Sequence, residues 1–116
     1  MEQNLPFTPE QILDMTPVFV AVTATEQLFA SKNPSFTDMK ILVKNIAEAK
    51  MCNLASITLS MPLLMVAQVL TSLEQSSKSM KDEDKENIRQ IAAEEVAEIL
   101  LPALYLAAAN AYKGFL

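Results

Sequence analysis

The chain has 116 residues, 51% of them hydrophobic, and a formal net charge of -5, which is one domain's length with more apolar side chain than so small a core readily hides. Lys and Arg number 9 against 14 Asp and Glu, and Arg89 is the only arginine, so no basic stripe exists to displace counterions from phosphates and nucleic acid is not an expected partner. With no histidine and one cysteine, Cys52, a single chain forms no internal disulfide, no Cys/His zinc site and no His-dependent triad, so no cofactor is expected and the setting is expected to be reducing and cytoplasmic.

The opening Met1–Pro6 has no basic segment before an apolar run, so a secretory signal is not expected. Thr8-Pro9-Glu10-Gln11 has the order of an N-cap, a first-turn proline and a capping-box Gln, which predicts a short helix to about Met15. Thr16-Pro17 repeats that order and predicts a second, apolar helix through Val18, Val22 and Phe29, ended by Ser31-Lys32-Asn33-Pro34. Thr37-Asp38 is expected to cap an amphipathic helix. Met39, Leu42, Val43, Ile46 and Ala49 form its inner stripe, and Lys40, Lys44 and Glu48 lie outside.

From Asn53 to Ser60 the alternation Ala55, Ile57, Leu59 suits a strand or a helix equally. Ser60-Met61-Pro62 predicts a new helix through Leu63, Val66 and Leu70 to Leu73. The stretch Leu54–Leu73 carries no charge over about a membrane-spanning length, but Pro62, Gln68 and five hydroxyl residues favour a core helix over a membrane contact. The polar run Gln75–Lys85 is the expected loop. Asp82, Glu83 and Asp84 suit the positive end of a helix dipole, so a final helix is expected from there to about Tyr112, kinked at Pro102. The sum is an all-α domain, a small bundle of four or five helices with proline-started and proline-kinked members.

Chemistry is suggested in one place. Glu94-Glu95-Val96-Ala97-Glu98 resembles the first half of the magnesium motif of the all-α MazG-type nucleotide pyrophosphohydrolases. The resemblance covers five residues and implies Glu94, Glu95 and Glu98 as metal ligands. The family's second acidic motif has no counterpart, since no acid follows Glu98. The alternative is a solvated charged face. Counting 100° per residue places Glu95 amid a stripe of Ile88, Ile91, Ala92, Ile99 and Leu106, where a pairing with Lys50 would satisfy it, or it lies at the stripe's edge in water.

Two further features point to binding. Met61, Leu64, Met65 and Phe19 could line a pocket for a lipid or another apolar ligand. The segment from Pro102 to Leu116 is apolar on nearly every side, which leaves Leu101, Leu104, Tyr105, Ala108, Tyr112 and Phe115 as an interface with another chain. The expected function is therefore a protein-interaction or assembly protein, homo-oligomeric and without catalysis, whose partner is itself or another protein. An enzyme built on the glutamates and an apolar-ligand binder are the alternatives.

Overall fold

The computed structural model describes residues 9–31 and 33–114, which fold into four helices: α1 (Pro9–Ala30), α2 (Phe36–Glu48), α3 (Asn53–Ser77) and α4 (Asp82–Gly114). No strand occurs among the described residues, so the alternation at 53–60 belongs to the first turns of α3. Thr8, the expected cap of the first helix, lies outside the described residues, which begin within α1 at Pro9.

Two expected proline-started helices are continuous with what precedes them. Pro17 lies inside α1 and Pro62 inside α3, as Pro102 does inside α4. Each proline removes one N–H and leaves the carbonyl four residues earlier without its usual donor, at a cost of about 3 kcal/mol in a helix interior. Each of these helices buries side chains on both sides of its proline, such as Met15 and Val18 in α1 or Leu59 and Val66 in α3, and this packing carries it through.

The links are short. Ser35, not Thr37, caps α2: its Oγ accepts from the Asp38 N–H at 3.0 Å, while the Asp38 carboxylate accepts from the Ser35 N–H at 3.3 Å, a reciprocal capping box. Met39, Leu42, Val43 and Ile46 are the buried face of α2. The expected loop at 75–85 is narrower, because α3 runs on to Ser77 and α4 starts at Asp82. Ser77 stays buried and donates its hydroxyl to the Glu74 carbonyl at 2.7 Å. The three acids of the first turn of α4 follow dipole logic.

Residue pairs fix the topology. Lys40 bridges Glu74 at 2.8 Å at one end of α2 and α3, and Ile46 and Ala49 lie across a cleft from Leu59 and Leu63 toward the other. Asn110 donates to Thr58 Oγ1 at 3.0 Å, setting α4 antiparallel to α3. Tyr105 reaches Glu26 while Arg89 reaches Asn33 and Pro34, so α1 also runs against α4. The result is an up-down-up-down four-helix bundle, 62 Å long, whose most extensive contact is between α3 and α4. Its radius of gyration of 16.5 Å exceeds the roughly 13 Å of a compact domain of similar length, because α4 alone spans about 50 Å. The core is one cluster: Val18 and Ala21 from α1, the α2 stripe, Ala55, Leu59, Val66 and Leu70 from α3, and Ala92, Val96, Leu100, Ala103, Leu104, Ala107 and Ala111 from α4.

Candidate functional site

The inner stripe of α4 is built largely of alanine, which lets α3 lie close and leaves larger apolar side chains outside. This rotates the helix relative to the stripe expected from the sequence. Ile91 and Leu106, counted as inner, are exposed, and the inner line passes through Val96 and Leu100 instead. Glu95 is consequently exposed with Glu94 and Glu98, and needs no buried partner. Lys50 is exposed too, in the link after α2 has ended at Glu48, and no ion pair joins it to Glu95 among the described residues. No three Asp, Glu or Cys side chains among the described residues come together as a metal site, so the geometry gives the MazG-like reading of Glu94, Glu95 and Glu98 no second half.

The expected interface on α4 divides. Leu104 is wholly inside the chain's own core, so it has no surface to offer a partner; its place on the alanine-lined inner face is the reason. Leu101 and Ala108 are half-buried, Tyr105 and Tyr112 are exposed, and Phe115 lies outside the described residues. The Tyr105 hydroxyl donates to Glu26 Oε2 at 2.6 Å, and this bond to a carboxylate holds the phenol's pKa above its ordinary value. At the other end of the bundle Arg89 ties the α1–α2 link to α4. It donates to the Pro34 carbonyl at 3.0 Å, to Asn33 Oδ1 at 3.1 Å and to Glu86, and its hydrogen bond is the main cause of a lowered Glu86 pKa.

The imagined apolar pocket is not assembled. Phe19 is exposed on α1, whereas Met61, Leu64 and Met65 face outward from α3, and none of the main clefts among the described residues gathers the four. Apolar clefts exist on either side of α2 instead. One of about 420 Å³ lies against α3 at Leu59, Leu63 and Leu64, and one of about 380 Å³ lies against α1 at Pro17, Val20 and Ala24.

What the structure brings together is the outer face of α3, where Met61, Leu64 and Met65 of the expected pocket stand with Leu54 and Ile57, two residues that the sequence reading did not single out for binding. Leu54, Ile57, Met61, Leu64 and Met65 all point away from the core, with Ile57 71% and Met61 62% exposed. By length and composition α3 is also the one described helix that could cross a membrane, yet only 22% of its most apolar window is buried within the chain. The spacing 54, 57, 61, 64 was the available signal: three- and four-residue steps in a charge-free run mark a single helix face. Here it is the face opposite Ala55, Leu59, Val66 and Leu70. The register set by Asn110 and Thr58 brings the exposed Leu106 of α4 level with Pro62, beside this face. No family model matches this chain, and neither a curated protein nor a solved structure matches it.

Proposed function

We propose that this chain is an assembly protein, a small acidic helical bundle that works by contact with other chains, homo-oligomeric and without catalysis of its own. The observation that supports the reading is the outer face of α3, where five large apolar side chains within twelve residues stand in water with no charge between Asn53 and Leu73. Single exposed apolar residues are ordinary, but a contiguous patch of several hundred Å² on a domain this small is characteristic of an interaction surface. Each half-exposed large side chain gains about 1 kcal/mol on passing into full burial, so the face as a whole offers a contact several kcal/mol. The exposed acids, among them Glu94, Glu95 and Glu98 on α4, keep the remaining surface soluble.

Light scattering on a size-exclusion column tests the reading. At micromolar concentration and above, the mass is expected to be a multiple of the 12.8 kDa chain and to fall on dilution. A single 12.8 kDa species throughout would end it.

A further inference from the structure

We infer that the occupant of the α3 face is a second copy of this chain, its α3 packed antiparallel on the first about a two-fold axis near residue 59. The inference rests on the assembly reading and names its contact. The exposed residues Leu54, Ile57, Met61 and Leu64 alternate three- and four-residue steps, which makes them successive a and d positions of a coiled-coil seam, and the seam continues as Gln68, Thr71 and Gln75. The apolar half is thus complete in itself and ends at Gln68. Antiparallel pairing sets each a against a d of the partner, so Leu54 meets the partner's Leu64 and Ile57 meets the partner's Met61. All four apolar positions are then used and Gln68 is left outside the overlap.

The polar end of the seam sets the direction, since a parallel pair would bury Gln68, Thr71 and Gln75 against their own copies, and charge agrees. Two chains of net charge -5 associate most readily where their acids stay apart. A parallel pair would set Glu74, which Lys40 only partly offsets, beside its copy at about 10 Å, the separation of packed helices, and gather at that same end the acids that open α4. Antiparallel pairing centred at residue 59 places the two Glu74 residues about 45 Å apart at 1.5 Å per residue, several times the Debye length of about 8 Å at physiological salt. Area agrees: with Met65 included, the face offers roughly 500 Å² per chain, so a pair buries about 1,000 Å², the lower bound for a specific interface. A charged heterologous partner would find no complementary charge anywhere between Asn53 and Leu73.

The test combines mass and cross-linking in the full chain. Met61→Glu and Ile57→Glu alter exposed positions, so each is expected to keep the helical circular dichroism and to halve the scattering mass at micromolar concentration, while Gln68→Glu leaves the dimer intact. In a Cys52→Ser background, an equimolar mixture of Ile57→Cys and Met61→Cys chains is expected to form disulfide-linked dimers under mild oxidation at least ten times faster than either chain alone. Met61→Cys linking as fast alone as in the mixture means a parallel pair and overturns the inference. So does an oligomer that survives both glutamate variants, which leaves the assembly reading standing with its contact elsewhere. A monomer ends both. A monomer that sediments with phosphatidylcholine vesicles, and loses that with Met61→Glu, assigns the face to lipid instead.

Discussion

Leu104 and Leu106 lie two residues apart on α4 and have opposite fates, which makes them a sharp test of how that helix is rotated. Leu104 is fully buried in the cluster formed with α1 and α3, whereas Leu106 is 55% exposed. Truncating Leu104 to Ala removes apolar atoms from a packed interior and leaves a cavity, at a cost of about 2–5 kcal/mol. Leu106→Ala removes a side chain already half in water, a loss of about 1 kcal/mol that alanine's better helix propensity partly offsets. Against a total stability of roughly 5–15 kcal/mol, the first change is severe and the second is mild. Thermal unfolding followed by helical circular dichroism reads both: a difference of about 1–4 kcal/mol at about 4–8 °C per kcal/mol should separate the melting temperatures by at least about 4 °C. Equal losses, or a Leu104→Ala chain of normal stability and lowered oligomer mass, would refute the assigned rotation and return Leu104 to the surface between chains.

Arg89 forks onto a carbonyl, an amide oxygen and a carboxylate, so Arg89→Lys, which keeps the charge but not the fork, is expected to cost about 1–2 kcal/mol in thermal melts; an unchanged melt would mean that it does not tie the α1–α2 link. Pro102 is exposed inside α4, so Pro102→Ala should restore a helical hydrogen bond and raise stability by up to about 3 kcal/mol in urea unfolding, and a destabilised variant would show that the proline's geometry is required. Tyr105 holds its proton more tightly when folded than its ordinary value of 10.0, because it bonds to Glu26. That contribution to stability is fully present below the unfolded pKa and is lost as pH rises through the higher folded one. The phenolate absorbance titration of Glu26→Gln should accordingly move to lower pH than the parent's, and an identical titration would remove the bond.

Much of the bundle is legible in the residues. The one-sided pattern of α2 names its buried face correctly, since Met39, Leu42, Val43 and Ile46 are all inside. The acids at 82–84 locate the start of the last helix, since three carboxylates in one turn favour a helix N-terminus. Proline is where the reading fails. At positions 17 and 62 local sterics argue for a new start, but long-range packing on both sides outweighs one lost hydrogen bond. The rotation of α4 is ambiguous for another reason: apolar residues surround it, so periodicity alone does not choose a face. Close approach to α3 chooses the alanines, which sends Leu106 and Tyr105 outward and frees Glu95 from any buried role. The exposed seam of α3 was present in the spacing, but only the position of the true core reveals that it faces away.

Methionine oxidation tests the covered face most directly, because the chain carries its own internal references. Met39 is fully buried and Met61 is exposed on the α3 seam, so in an isolated chain hydrogen peroxide should oxidise Met61 rapidly and Met39 only on unfolding. Peptide mass spectrometry across a dilution series follows both. If copies of this chain cover one another through α3, Met61 at high protein concentration is protected nearly as well as Met39, and the protection disappears on dilution or with Ile57→Glu. Oxidation of Met61 at the rate of a free methionine at every concentration would contradict the account.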